Sequence, residues 1–209
     1  MKNSFLYLFM LVFAACSSKE HKGDDKGQDT TNKQPDTIIG RSDHAENLDT
    51  LDVSFFQQAA YGGMMEVESS AKILSVTESP DVKAFADMMV KDHGGANMKL
   101  KALAESKGYI LPASLPESKV ALIGKMDSFK DEGRNEYYLQ LMMNEHKNAI
   151  DIFAVASRSK DEAINKFAKS LLPTLKHHYM EVRKVDSLFR QPKANQGDDP
   201  LKLSDRKKQ

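Results

Sequence analysis

The sequence predicts an all-α protein, an up-and-down four-helix bundle with a short extra helix between the second and third core helices. Apolar residues recur at helical spacing in four stretches of about 23 to 30 residues each. Mostly short segments connect these stretches, which favours antiparallel packing of neighbouring helices. No stretch shows the convincing period-two alternation that is typical of a half-buried strand, so we expect no sheet.

The first predicted helix covers residues 51–77 and contains two adjacent glycines. Asp49 or Asp52 can cap its start. A glycine inside a helix costs about 1 kcal/mol relative to alanine, so Gly62 and Gly63 indicate a kink or a close approach by another helix. The apolar stripe of this helix consists of Val53, Phe56, Ala60, Met64, Val67, Ala71 and Leu74.

The second predicted helix begins with a capping serine and a proline and ends at a glycine. Ser79 is the cap, Pro80 occupies the first helical position, and Gly108 follows the last turn. A loop with two prolines and a short helix within residues 116–129 then lead to Gly133. The stripe of the second helix consists of Val82, Phe85, Ala86, Met89, His93, Ala96, Leu100 and Leu103.

The third and fourth core helices are predicted at residues 135–157 and 160–189. Pro173 lies inside the fourth helix and should bend it, because its ring removes one backbone hydrogen bond. The third stripe consists of Tyr138, Met142, His146, Ala149, Phe153 and Ala156. The fourth consists of Ile164, Phe167, Leu171, Leu175, His178, Val182, Val185 and Phe189. The third and fourth stripes, like the second, therefore each have a histidine at a position typical of an apolar residue.

Residues 1–15 are predicted to be a lipoprotein signal peptide. Lys2 precedes an apolar run over 5–15 that is too short to span a bilayer. The run ends at Cys16 and resembles the bacterial lipoprotein cleavage box, which implies lipidation of that cysteine and a membrane anchor. An ordinary secretory peptide with a chance cysteine is the alternative. Since Cys16 is the only cysteine, the chain cannot form an internal disulfide or a thiolate metal site.

Polar segments flank the predicted bundle on both sides. Residues 16–48 comprise the lipidated N-terminus and a segment too polar to order itself, so we expect a flexible tether. Residues 191–209 have a similar composition and are predicted to be a disordered tail. The bundle is therefore assigned to residues 49–190.

Composition and motifs exclude several classes of function. The formal net charge is zero, so nothing indicates binding to nucleic acid. The sequence contains neither a serine on a sharp glycine-flanked turn nor a glycine-rich loop that could cradle a phosphate. Whether the protein is an enzyme stays open on these grounds.

One polar residue on each predicted core helix points to a shared site. Glu66, His93, His146 and His178 would face one another in the bundle, and burying such groups is costly unless they are paired or bind a metal. Three imidazoles and a carboxylate suit zinc, iron, manganese or copper. The sequence therefore predicts a transition metal site with these four residues as ligands.

Two sequence patterns bear on that site. The spacing methionine, two residues, acid, histidine occurs at residues 89–93 and again at 142–146, which suggests helix pairs related by approximate two-fold symmetry. Methionine one turn before histidine can bind Cu(I), although methionine in a stripe is more often core filler. No Glu-x-x-His motif is present, which argues against di-iron oxygen chemistry. Asp92 and Glu145, next to the histidines, are interpreted as partners that orient a ring or as solvated charges.

Four motifs in order resemble one family. They are Gly62-Gly63 before Glu66-Val67, residues 82–86 before 89–93, Tyr138 before Met142 and His146, and residues 172–178. Together, over about 52–189, they resemble a ferritin-like bacterial family of unknown function whose members are often described as candidate secreted or outer-membrane proteins. The resemblance implies a ferritin-like fold outside the cytoplasm. It also implies site roles for Glu66, His93, His146 and His178, but no established activity.

One position departs from the family pattern. A Phe-Asp pair often precedes the tyrosine of the third helix, whereas this chain has Arg134-Asn135 there. Any role of that acid is therefore in doubt for this protein.

The sequence thus predicts an envelope lipoprotein, anchored to the outer membrane and facing the periplasm or the cell surface. Its ferritin-like bundle is expected to bind a transition metal through one inward residue per helix. The alternative is a structural or stress-related envelope module without metal, whose core histidines form a polar network. A redox enzyme using the bound metal is a third hypothesis. The sequence does not indicate a protein partner.

Overall fold

The computed structural model describes residues 48–190, and these residues contain helices and no β-strand. The predicted signal peptide, Cys16, most of the predicted tether and the predicted tail lie outside the described residues. Among the described helices, none has both the length and the apolar character needed to cross a membrane. The helices are α1 (Thr50–Leu74), α2 (Pro80–Ser106), α3 (Glu117–Gly124), α4 (Asp131–Ala156) and α5 (Glu162–Arg190), with a 3₁₀ turn at Lys125–Ser128 after α3.

The four long helices pack as a ferritin-like bundle. Helix α1 contacts α2 and α4, and α5 contacts α4 and α2, so α1 and α5 lie on one diagonal and α2 and α4 on the other. Contacts between side chains give the directions: Phe55 near the start of α1 packs on Phe153 near the end of α4, with ring centroids 5.1 Å apart. At the opposite end Tyr138 hydrogen-bonds Ser70 over 2.8 Å. Neighbouring helices are therefore antiparallel, which confirms the predicted bundle.

The connection between α2 and α4 differs from the other two connections. Short loops join α1 to α2 and α4 to α5, whereas residues 107–130 return along the bundle to its other end before α4 starts. Helix α3 lies in this connection, as predicted, and packs against α1. As a result α2 and α4 run in the same direction on one diagonal of the bundle.

The helix ends agree with the capping residues in the sequence. The Asp49 carboxylate accepts a hydrogen bond of 2.9 Å from the backbone N–H of Asp52, and Ser79 accepts one of 3.4 Å from Val82. Such caps satisfy backbone donors that have no partner within the helix. Helix α4 begins one turn earlier than predicted, at Asp131. Pro173 lies inside α5, which remains helical on both sides of it.

Two apolar clusters form the core, one at each end of the bundle. The first surrounds Ile73, Val82 and Tyr138, and the second surrounds Phe56 and Ile164. The four predicted site residues belong to neither cluster and are nevertheless buried. The bundle therefore has a polar layer between two apolar layers, and that layer holds the candidate site.

The two central glycines of α1 have different surroundings. A Cβ atom added to Gly63 would lie 1.9 Å from Oδ1 of Asn97 on α2, whereas one added to Gly62 would meet nothing within 4 Å. The predicted close approach by another helix is thus found at Gly63. Gly62 is not required by any contact in the described part of the chain.

We expect Gly63→Ala to lower the free energy of unfolding by about 1–2 kcal/mol, because Asn97 must leave its position to make room. Gly62→Ala should raise it by about 0.5–1 kcal/mol, since alanine loses less backbone entropy in a helix. Urea unfolding measures both changes. The double variant Gly63→Ala, Asn97→Ala should recover the stability of Asn97→Ala. Equal stabilities of Gly62→Ala and Gly63→Ala would contradict this account.

Candidate metal centre

The structure brings the four predicted site residues into one layer, with one residue from each long helix. Glu66 comes from α1, His93 from α2, His146 from α4 and His178 from α5. All four side chains are at most 6% exposed. The helical periodicity predicts that these residues lie together, because each one is near the middle of its helix and on the face that packs into the bundle.

One ring nitrogen from each histidine points to a common centre. Nε2 of His93 lies 3.3 Å from Nε2 of His146 and 3.2 Å from Nδ1 of His178. The three residues each offer a nitrogen within 4.8 Å of the other two. These three atoms are called the inner nitrogens below.

The remaining nitrogens of His93 and His146 contact oxygen atoms. Nδ1 of His93 lies 2.9 Å from Oε2 of Glu66, and Nδ1 of His146 lies 2.8 Å from the backbone oxygen of Met142. A carbonyl or an ionised carboxylate can only accept, so both Nδ1 atoms carry the hydrogen. In a neutral ring the inner nitrogen then has a lone pair and no hydrogen.

His178 follows the same rule with its nitrogens exchanged. Its Nε2 lies 3.1 Å from Oδ2 of Asp92, so this outer nitrogen donates and the inner Nδ1 has the lone pair. The sequence predicts that Asp92 either orients a ring or is a solvated charge. In the structure Asp92 contacts the ring of His178 on α5 and not that of its sequence neighbour His93. If all three histidines are neutral, their three inner nitrogens are therefore all hydrogen-bond acceptors.

Such an arrangement requires a positive charge between the rings. Acceptors at 3.2–3.3 Å repel each other unless a proton or a metal ion lies between them. In a tetrahedral site with metal–nitrogen bonds of about 2.05 Å, two ligand nitrogens lie about 3.3 Å apart. The two separations from His93 thus match those between ligand nitrogens of a tetrahedral metal ion, and the inner nitrogens of His146 and His178 lie within 4.8 Å of each other.

Glu66 is ionised in this layer and lies on the outer side of the rings. Burial raises the pKa of its carboxyl, but the charges of His93 and His146 and the hydrogen bond from His93 outweigh it, so the pKa falls to about 2. Its Oε1 lies 3.4 Å from Nδ1 of His146 and has no hydrogen-bond partner among the described residues. Both oxygens therefore lie against outer nitrogens.

The three rings differ in their affinity for a proton. Burial lowers the pKa of His93, but the Glu66 carboxylate more than compensates and raises it above its usual range. Burial lowers the pKa of His146, and burial together with the charge of His93 lowers that of His178 to about 4. Without metal, an additional proton therefore resides on His93 rather than on His146 or His178.

The other candidate side chains around the layer have separate contacts. Glu145 forms an ion pair of 2.8 Å with Lys119 of α3, a contact that the helical periodicity does not predict. Nζ of Lys119 donates to the sulfur atom of Met65 over 3.4 Å, and Oγ of Ser70 donates to that of Met142 over 4.0 Å. None of these contacts joins a thioether to the inner nitrogens.

The lowered pKa of His178 makes the stability of the metal-free protein depend on pH. The unfolded histidine binds a proton below about pH 6.5, whereas the folded one does so only near pH 4. The stability that the neutral ring of His178 contributes is therefore fully present above about pH 6.5. It is lost as the pH falls from 6.5 towards 4. His146 acts in the same direction and His93 in the opposite one.

We expect His178→Gln to reduce the loss of stability between pH 7.5 and 5. Urea unfolding of chelator-treated protein at several pH values measures it. His177→Gln, which changes an exposed neighbouring histidine, is the matched control and should keep the original profile. A steeper profile for His178→Gln than for the unchanged chain would show that the sign is wrong.

The model of the DUF4142 family, a domain of unknown function, matches residues 40–185. A DUF305 fragment from Deinococcus radiodurans has a similar structure, with a TM-score of 0.58 and 14% identity over 68% of this chain and 96% of that one. A candidate secreted DUF305 protein from Streptomyces coelicolor gives a TM-score of 0.57 and 12% identity over 66% and 93%. At these identities the two structures share the fold. No curated protein matches the sequence.

Proposed function

The chain belongs to the DUF4142 family of unknown function, and we propose that its bundle binds one transition metal ion through His93, His146 and His178. The observation that carries this proposal is the convergence of one ring nitrogen from each of three buried histidines on one centre. The lone pair of each neutral ring is directed inwards because the other nitrogen of the same ring donates to an oxygen. Metal-binding histidines characteristically have such oxygen partners.

Glu66 is best explained as the residue that orients the ring of His93 and brings negative charge beside that of His146. It was predicted as a ligand, but its oxygens lie 2.9 and 3.4 Å from the outer nitrogens of His93 and His146. Together with Asp92 it would balance the two positive charges of a divalent ion bound by three neutral imidazoles. This compensation matters because an isolated charge in a buried layer is costly.

The donor set limits which metals fit. Imidazole nitrogens suit zinc, copper and iron, whereas manganese prefers oxygen ligands. Three protein ligands leave the fourth position of a tetrahedral ion for a water molecule or another small donor. Such a site supports metal binding without identifying a reaction, so no enzymatic activity is proposed.

Metal titration of the full chain tests this proposal. Protein purified in detergent without a metal-binding tag is treated with a chelator and titrated with Zn²⁺, Co²⁺, Cu²⁺, Fe²⁺ and Mn²⁺. We expect saturation at one Co²⁺ per chain, with the intense visible absorption of tetrahedral cobalt. The proposal would be overturned if none of these ions binds specifically.

The alternative is a structural or stress-related envelope module without metal. The pair of His93 and Glu66 favours it, because one proton on His93 can also occupy the centre between the rings. In that case the histidine variants would lower the stability of metal-free protein, while added metal ions would have no effect on the unchanged chain.

We also propose that the protein is anchored in the cell envelope by a lipid on Cys16. The proposed organisation is a signal peptide at 1–15, a lipidated N-terminal segment at 16–48, the bundle at 49–190 and a polar C-terminal segment at 191–209. The similar Streptomyces coelicolor protein is described as a candidate secreted protein. Expression in a bacterium that processes lipoproteins should place the unchanged chain in the membrane fraction and Cys16→Ser outside it. Equal distribution of both chains would contradict the anchor.

A further inference from the structure

A cavity of about 320 Å³ lies beside the histidine layer inside the bundle. The rings of His93 and His178 form part of its wall, next to Glu66 and Asp92. Exposed residues of α1 and α4, including Gln58, also line it. The cavity therefore extends from His93 and His178 in the histidine layer to the surface between these two helices.

The size and walls of the cavity suit a small organic molecule. Liquid water occupies about 30 Å³ per molecule, so the volume equals about ten waters, and ligand pockets begin at about 300 Å³. Most of the wall is apolar and comes from all four long helices. It includes Ala96, Leu100, Phe153, Phe167, Leu171 and Leu175. A molecule with an apolar body would remove this apolar surface from water.

Two residues at the cavity have features that packing does not explain. Gly62 weakens the middle of α1, yet a Cβ at this position would meet nothing within 4 Å. The half-buried amide of Asn97 forms no hydrogen bond with any residue of 48–190 and also lines the cavity. The glycine leaves space in the wall, and the amide offers a donor and an acceptor to a molecule inside.

The charges along the wall disfavour an anion. Glu66 and Asp92 bring negative charge beside the rings, and the one lysine in the wall, Lys119, is paired with Glu145 over 2.8 Å. A neutral molecule avoids the cost of desolvating a second negative charge at this depth. An uncharged aromatic nitrogen can nevertheless bind zinc, copper or cobalt.

We propose that this cavity binds a small neutral aromatic molecule of the azole or pyridine class, whose ring nitrogen takes the open fourth position on the metal. The apolar body of the molecule would lie among the leucine and phenylalanine side chains. This inference rests on the proposed metal site and adds the class of ligand that the site accepts.

Two probes that share one donor group test the proposal. The Co²⁺-loaded full chain is titrated with imidazole and with 4-phenylimidazole, and binding is followed by the visible absorption of the cobalt. Since the phenyl group adds only apolar surface, we expect 4-phenylimidazole to bind at least about tenfold more tightly. Equal affinities on cobalt-loaded protein would overturn the ligand proposal and leave the metal site intact.

Variants that fill the cavity show where the phenyl group binds. Ala96→Leu and, separately, Ala149→Leu place a larger side chain in the wall. Each should reduce the ratio of the affinities for 4-phenylimidazole and imidazole to about one. Ala102→Leu makes the same change at an exposed position of α2 outside the cavity and should keep the ratio of the unchanged chain. All chains are compared at equal cobalt loading. A preference that survives both filling variants would overturn the proposal, and failure to load cobalt would overturn the proposed function and this inference together.

Discussion

Replacing His146 by alanine is expected to lower the affinity of the chain for a transition metal ion by at least about 100-fold. Loss of a group that merely orients a ligand costs about 10–100-fold, and His146 supplies one of only three inner nitrogens. Competition with a chelator of known affinity measures the change. His93→Ala and His178→Ala should behave alike, because each removes one of the same three donors.

His177→Ala is the matched control for this prediction. His177 is adjacent to His178 in α5 but is exposed, so its removal tests for a general effect of losing an imidazole. We expect this variant to keep the affinity of the unchanged chain. If His146→Ala and His177→Ala retain the same affinity, the inner nitrogens do not form the metal site.

Glu66→Ala is expected to lower the free energy of unfolding of the metal-free protein by about 3–5 kcal/mol. The substitution leaves His93 buried without the carboxylate that stabilises its charge, and breaking a buried pair typically costs that much. Glu66→Gln should cost less, because the amide oxygen can still accept the hydrogen bond. Urea unfolding near neutral pH measures both effects.

The matched control changes an exposed glutamate on the same helix. Glu68→Ala should alter the stability by less than about 0.5 kcal/mol, as is usual for surface positions. The contribution of Glu66 should be present above about pH 4.5 and be lost as the pH falls towards 2, because folding lowers its pKa. Equal effects of Glu66→Ala and Glu68→Ala would show that the buried pair does not stabilise the fold.

Much of the fold could be predicted from the sequence because it depends on local patterns. The apolar stripes identify the four helices, and the capping residues Asp49 and Ser79 mark two of their starts. The same periodicity predicts that α2, α4 and α5 each carry one histidine on the inner face. A periodic pattern thus predicts which side chains share a layer of the bundle.

The partner of each ring could not be predicted in the same way. Asp92 lies next to His93 in the sequence, but it contacts His178 across the bundle. Glu66 faces outer nitrogens, and this depends on the rotation of α1 against α2 and α4. Periodicity within a helix carries no information on such rotations or on the route of the connection between α2 and α4. The roles inside the site therefore follow from the packing of the helices.

Elemental analysis of the full chain, purified without a metal-binding tag, tests the central claim most directly. The double variant His93→Ala, His146→Ala is analysed beside it. We predict close to one transition metal ion per unchanged chain and almost none in the variant, with three nitrogen ligands at about 2.0–2.1 Å by X-ray absorption. An unchanged chain that holds no metal, even after challenge with zinc, iron, manganese and copper ions, would contradict the account.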